Sequence, residues 1–206
     1  MEACKTYHLY THANGSENLF RKDENFRYFL KRYVEFIPGV ADTLAYCLMP
    51  NHIHFLIRIK KEGELINYFK NKDLTGLASE NKKDLSGLEL ERLTILQFSH
   101  LFNAYTKAYN KIYNRRGSLF IRSFKRKEII SDSYYTSIVT YIHNNPVHHG
   151  FVKKLTDWPW SSYSSFFNVT LTSQQQEVIC WFVNQEQFIQ SHLHTSHQVP
   201  EIRTYD

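Results

Sequence analysis

Two histidines one residue apart, His52 and His54, follow a Pro-Asn corner in the stretch LAYCLMPNHIHFLIRIK, residues 44–60. Strand side chains alternate faces, so His52, His54, Leu56 and Arg58 share one surface. Ile53, Phe55, Ile57 and Ile59 share the other, an apolar face suited to packing on helices. Two imidazoles side by side can grip one cation together. A second pattern lies in SDSYYTSIVTYIHNNPV, residues 131–147, where Tyr134, Ile138, Tyr141 and Asn145 fall at i, i+4, i+7 and i+11. That spacing is one helical face, so a phenol and, one turn later, an amide oxygen point the same way. A tyrosine, with an ordinary pKa of about 10, is a weak nucleophile at neutral pH. It becomes useful against a phosphorus centre that a metal polarises. Two imidazoles and one amide oxygen leave coordination positions open for such a phosphate.

Each of these residues also has a plainer reading. The histidine face could simply be solvated, and Tyr141 is one of 14 tyrosines, which on helix faces more often pack than react. Tyr134 on the same face and Tyr135, turned away, are its nearest rivals. His143 is rotated off that face and reads as a surface or hydrogen-bonding residue. His8, His12, His148 and His149 show no partner spacing. Trp158 and Trp160 could stack on unpaired bases, although packing of the tail on the sheet explains them as well.

The elements that must position these groups follow from periodicity. Residues 6–13 read as a strand, and 23–37 as a helix with Asp23 as its cap, ended by Pro38-Gly39. Strands are expected at 42–49 and 52–60. A polar excursion over 61–92 holds a short helical piece at 65–70. A helix over 94–116 carries Phe98, Phe102, Tyr105, Tyr109 and Ile112 on one stripe. Gly117 closes it, and SLFIRSFKRKEII, 118–130, reads as a strand. The next helix, capped by Ser131, Asp132 or Ser133, should end near Asn144, because Pro146 disfavours helical geometry in the residue before it. One more helix is expected at 174–193. The order strand, helix, two strands, helix, strand, helix predicts an α+β fold with helices largely on one side of an antiparallel sheet.

Bulk properties narrow the class. The 206 residues suit one domain with a real core, possibly extended by a tail. No apolar run approaches a bilayer span, and the N-terminus lacks a secretory pattern, so no membrane is expected. Cys4, Cys47 and Cys180 are odd in number and far apart, which fits a reducing cytoplasm. The net charge is +5, and from Arg92 to Lys127 there is no Asp or Glu. That window holds Lys107, Lys111, Arg115, Arg116, Arg122, Lys125, Arg126 and Lys127, of which Lys107, Lys111 and Arg115 form a ridge every four residues. An acid-free run of this kind suits a phosphate-binding face. No GxxxxGK[ST] loop is present.

MPNHIHFLI at 49–57, YIHNNPV at 141–147 and DWPWSSY at 157–163, in this order, resemble the single-tyrosine HUH transposases of insertion sequences. Within them the branch of REP-associated tyrosine transposases is the most similar. The resemblance covers residues 5–165. It implies a transposase domain of residues 1–165, with the polar stretch 61–92 as an insertion and 166–206 as a helical tail packed on the same domain. It implies a ferredoxin-like palm, related to RNA-recognition modules, with helices mainly on one face of the sheet and the Tyr141 helix near the other. His52 and His54 match the metal-binding histidines, Tyr141 the nucleophile, and Asn145 the position that completes the metal site, often Gln in the wider class. The implied cofactor is Mg²⁺ or Mn²⁺, with Mn²⁺ the stronger binder to imidazole. The implied partner is single-stranded DNA bearing a hairpin, cut through a 5′-phosphotyrosine and rejoined without ATP, by a monomer or homodimer. A catalytically silent hairpin-binding module of the same fold is the alternative, and a replication-initiator or relaxase relative is a weaker third reading.

Overall fold

The computed structural model describes residues 1–72, 85 and 87–193. Residues 73–84 and 86 of the polar excursion, and 194–206 of the tail, lie outside the described residues. Strand β1, Thr6–His12, is followed by helix α1, Asp23–Phe36, and by strands β2, Ala41–Leu48, and β3, His52–Ile59. Helices α2, Glu62–Asn71, and α3, Gly87–Ile112, then lead to strand β4, Lys125–Glu128, and helix α4, Asp132–His148. Helices α5, Ser173–Trp181, and α6, Gln185–Leu193, end the described chain.

The sheet has the order β2-β3-β1-β4, every neighbouring pair antiparallel. Two split βαβ units therefore interleave, which is the ferredoxin-like arrangement expected from the motifs. The apolar face of β3, Ile53, Phe55, Ile57 and Ile59, is buried with Leu9 of β1 under α1 and α3. Phe26, Phe29 and Tyr33 of α1 meet Phe98, Phe102 and Tyr105 of α3 there. α1 starts one residue earlier than the cap reading had it. Lys22 is the cap, Asp23 sits in the first turn where its charge suits the helix dipole, and Asn25 Oδ1 accepts from the backbone N–H of Arg21 and Lys22 at 2.9 and 3.2 Å.

The other face of the sheet carries α4. Ile138, Val139, Tyr141 and Ile142 pack on Leu44, Ala45, Cys47 and Leu56, with Val178, Phe182 and Phe188 of the tail. Arg58 at the end of β3 grips Glu177 of α5 through two hydrogen bonds of 2.6 and 2.8 Å. Residues 160–162 run along the outer edge of β2. Leu48 N donates to Trp160 O, and Ser162 N to Tyr46 O, both at 2.9 Å, so this edge strand is covered.

Four elements depart from their sequence expectations, each for a local reason. α3 begins at Gly87, because Leu90 and Leu93 extend its buried stripe, while Ile112 at the far end is 66% exposed. Of the expected strand 118–130 only Lys125–Glu128 forms a continuous ladder, while Phe120 makes an isolated bridge to Ala13. Gly117 and Ser123 have positive φ, and the Arg115 guanidinium holds the carbonyls of Gly117 and Ser118 in a turn. α4 does not stop at Asn144 but runs through Pro146 to His148. A proline in the last turn forfeits one hydrogen bond, and the burial of the helix outweighs that loss. The tail forms two helices, broken at Val183, φ 72°, after which Asn184 Oδ1 caps α6 by accepting from Gln187 N at 2.9 Å. Among the described residues no helix is long and apolar enough to cross a membrane.

The tail is tied to α4 by a pair of histidines. His143 Nδ1 and His192 Nε2 are 2.9 Å apart, and His143 Nε2 meets Ser162 Oγ at 2.8 Å. Burial holds His143 well below the ordinary imidazole range and pushes His192 down to about 4. The unfolded chain takes up these protons near pH 6.5 while the folded chain refuses them. Stability present at neutral pH is therefore lost as pH falls through 6.5, and the loss levels off only below the folded values. For His192 alone it amounts to on the order of 3 kcal/mol. The urea midpoint should fall from pH 7.5 to 5, and His192→Phe, although weaker at pH 7.5 because His143 loses a partner, should lose less over that interval. An equal slope in the variant would dismiss His192 as a source of the acid lability.

Candidate active site

The face of β3 turned toward α4 carries His52 and His54, and β1 sets its own alternate residues beside them. In the ladder His12 lies opposite His52, Tyr10 opposite His54, and His8 opposite Leu56. The rings meet accordingly. His12 and His52 stack with centroids 4.9 Å apart, and His8 lies in near-parallel planes with His54 at 5.1 Å. His149, just past α4, sets its ring edge-on to His52 at 5.1 Å.

These imidazoles are shut away from water. His8 and His54 are fully buried and His52 nearly so. Burial drives the proton off: His54 is held well below its ordinary range, with the neighbouring histidines adding to the effect. His8 is pushed down to about 3, by burial and by the charge of Lys127. Neutral imidazole is the form that binds a metal, so the sheet holds His54 in the competent protonation state. His8 Nε2 and His54 Nδ1 are 3.0 Å apart, whereas His54 Nε2 and His8 Nδ1 have no hydrogen-bond partner among the described residues.

α4 supplies the other half. Because the helix continues through Pro146, Asn145 stays on the Tyr141 face, one turn on. Its Nδ2 donates to Tyr141 O at 2.9 Å, which fixes the amide and aims Oδ1 at His52 Nε2, 3.2 Å away. The Tyr141 ring stands edge-on to His54 and His8, with centroids at 5.5 and 6.1 Å. One chain thus brings His52, His54, Tyr141 and Asn145 together, and Tyr141 is 7% exposed.

Two imidazoles and one amide oxygen are donors that could hold a divalent ion with positions left open, and the imidazoles favour a softer ion over Mg²⁺. His52 Nδ1 lies 2.9 Å from Asn51 Oδ1. With the proton on Nδ1 and donated there, Nε2 turns a lone pair toward Asn145 Oδ1, and two lone pairs face each other. A divalent cation held by both atoms would remove that conflict, whereas with the proton on Nε2 the same 3.2 Å contact is a hydrogen bond to Asn145 Oδ1. Among the described residues no three His, Cys, Asp or Glu side chains could hold an ion together, so a third protein ligand beside His52 and His54 would have to be an amide such as that of Asn145.

The basic residues divide between the two sides of the sheet. Lys125 and Lys127 pair with Tyr10 and His8, which places them on the histidine face, and Lys127 Nζ lies 5.2 Å over the Tyr134 ring. Arg126 pairs with Leu9 and faces the helical layer, on the side that α3 brings Lys107 and Lys111, both exposed. Arg116 and Arg122 are exposed in the loop between α3 and β4. Arg115 is engaged within the chain, on Glu17 at 2.6 Å and on the turn carbonyls. Of the tyrosine rivals, Tyr135 packs on Trp181 at 4.5 Å, while the buried Tyr134 hydroxyl has no hydrogen-bond partner among the described residues. Trp158 Nε1 donates to Leu48 O at 3.1 Å, and Trp160 stacks on Phe26 at 4.6 Å. His148 is exposed at the end of α4, and His143 is buried in the tail contact. His8, Tyr10 and His12 escaped the sequence reading, although their period-two spacing in TYHLYTH is the same signal that singled out His52 and His54.

No family model matches the chain. It is 28% identical over 142 residues to a curated Haemophilus influenzae protein described as a REP-associated tyrosine transposase, a match that spans 67% of this chain and 66% of the relative. Among solved structures, that of a REP-associated tyrosine transposase bound to a REP hairpin is similar with a TM-score of 0.52 at 19% identity, over 84% of this chain and 92% of the other. In sequence over two thirds of its length, and in fold over most of it, the chain is similar to REP-associated tyrosine transposases.

Proposed function

We propose that the protein is a metal-dependent enzyme that nicks and rejoins single-stranded DNA carrying a hairpin, with Tyr141 as nucleophile. The observation that carries this reading is the meeting of two separate motifs in one chain: Tyr141 beside His54 at 5.5 Å, and Asn145 Oδ1 at 3.2 Å from His52 Nε2. Hairpin DNA as the partner draws support from the structural neighbour, which is bound to a REP hairpin. His52, His54 and Asn145 would hold Mg²⁺ or Mn²⁺, and the bound ion would polarise the scissile phosphate. The Tyr141 oxygen then forms a bond to phosphorus and loses its proton, the bond from phosphorus to the 3′-oxygen breaks, and that oxygen leaves as a hydroxyl. Attack by a second 3′-hydroxyl restores a phosphodiester and frees the phenol. One phosphate ester replaces another at each step, so no nucleotide cofactor is needed. Lys125 and Lys127, on the histidine face, would hold neighbouring phosphates.

With a labelled hairpin oligonucleotide and Mn²⁺, a covalent adduct should run on a denaturing gel and should vanish in Tyr141→Phe. An undiminished adduct in that variant would reject Tyr141 as nucleophile.

A second reading, a hairpin-binding module without chemistry, is favoured by the burial of the site, since Tyr141 and His54 offer little surface to a phosphate. The double variant His52→Ala/His54→Ala separates the two. Cleavage should be lost while hairpin affinity stays within about threefold, because phosphate contacts dominate affinity. Absence of cleavage in the wild-type protein with intact binding would favour the module instead.

Salt dependence tests the division of the basic residues. Lys127→Gln should lower the slope of log affinity against log salt by about 0.7 for a single-stranded contact, while Arg115→Gln, already engaged on Glu17, should leave that slope unchanged and lower stability. The reverse pattern in a fluorescence-anisotropy titration would place the phosphates elsewhere.

A further inference from the structure

We propose that His8 is a positioning residue that sets the tautomer of His54, acting as the acceptor for an Nδ1 proton so that His54 Nε2 keeps its lone pair for a metal. The inference rests on the metal reading of His52 and His54, and deepens it. A ligating imidazole that binds through Nε2 must carry its proton on Nδ1, and that proton needs an acceptor. Carboxylates and backbone carbonyls usually serve. Here the atom within reach of His54 Nδ1 is His8 Nε2, at 3.0 Å. The two rings lie 18° from parallel with centroids 5.1 Å apart, so donor and lone pair meet nearly in plane. Tyr10 stacks on the other side of the contact, at 5.0 Å from His8, and limits rotation of the ring. Both imidazoles are fully buried, so no bulk water competes with His8 for the Nδ1 proton of His54.

The two possible tautomer pairs differ in what they leave unmatched. If His8 donates, His54 carries its proton on Nε2 and cannot ligate, and that buried N–H has no hydrogen-bond partner among the described residues. If His54 donates, Nε2 offers a lone pair on the face it shares with His52, and the unmatched donor moves to His8 Nδ1. The second pair is the one a metal selects. β1 therefore does more than extend the sheet: the register that puts His8 against Leu56 brings its ring diagonally onto His54.

The test reads tautomer and affinity separately. In ¹⁵N-labelled protein titrated with diamagnetic Mg²⁺, long-range proton–nitrogen spectra report which nitrogen of each histidine bears the proton, with His54 assigned by loss of its signals in His54→Gln. Wild-type His54 should carry its proton on Nδ1 once the ion is bound. In His8→Phe, which keeps a flat ring but no acceptor, the proton should stay on Nε2 at the same Mg²⁺ concentration. Mn²⁺ affinity, read from the electron paramagnetic signal of the free ion, should fall about 10–100-fold. His8→Gln, whose Oε1 reaches the place of the imidazole Nε2, should restore most of the affinity and the Nδ1 proton. Wild-type His54 protonated on Nε2 with the ion bound, or an unchanged tautomer and affinity in His8→Phe, would overturn the proposal. If wild-type protein binds no Mn²⁺ while His54 shows the Nδ1 proton in the presence of His8 alone, the metal reading fails and the role of His8 in fixing the tautomer stands. Should His8→Phe fail to fold, the wild-type spectrum and His8→Gln still decide.

Discussion

An imidazole kept away from water stays neutral, and a neutral imidazole has one proton to give and one lone pair to fill. The middle of this molecule obeys that constraint repeatedly. His8, His54 and His143 are fully buried and His52 and His192 nearly so, and each bonds to another histidine or to an amide, hydroxyl or carbonyl oxygen. Histidines therefore partner one another or amide and hydroxyl oxygens: His8 with His54, His143 with His192 and Ser162, and His52 with either Asn51 or Asn145, whose Oδ1 atoms compete for its single proton. A carboxylate in this layer would raise the imidazole pKa and invite a proton onto the nitrogen that a cation needs. Neutral partners avoid that competition.

The same bonds interlock the three motifs. Asn145 joins the helix motif to the histidine strand, and His143, two residues earlier and turned the other way, joins the helix to Ser162 of DWPWSSY. Ser162 in turn bonds Tyr46 on β2, next to the histidine strand. A closed circuit results: strand, helix, tail segment, sheet. Its physical value is that Tyr141 cannot swing about the helix axis without breaking bonds on both sides of α4. The tryptophans of DWPWSSY fit this structural role, since Trp158 caps a β2 carbonyl and Trp160 packs on Phe26.

Much of this was legible in the residues. Period two in β3 and period 3.6 in α4 fix which side chains share a face, and that fixes His52 beside His54 and Asn145 beside Tyr141. The element order fixes the antiparallel sheet. What escaped depends on distant parts of the chain. The strand after α3 shrinks to four residues because Arg115 clamps the preceding turn through Glu17, 98 positions away. Helix α4 outlasts Pro146 because its burial on the sheet and tail outweighs one lost bond, a comparison that no local rule contains. His8 and His12 escaped because alternation in a single strand does not say which neighbour it will face. Only the register of β1 on β3 does.

The arrangement also bears on how the site is put together. Tyr141 reaches His54 within one chain, on a helix whose Ile138, Val139 and Ile142 are fully buried against the sheet and tail. Peeling α4 away to serve a second copy would first expose those side chains, at roughly 1.5–3 kcal/mol for each one fully uncovered, and would break the Asn145 and His143 bonds as well. An exchanged pair would remake the same contacts at the end, so the obstacle is a barrier rather than a difference in final energy. A helix joined to its own sheet by a short strand and a three-residue link finds that sheet before it meets another copy. Assembly of both halves of the site from one chain is therefore the kinetically favoured outcome of this topology.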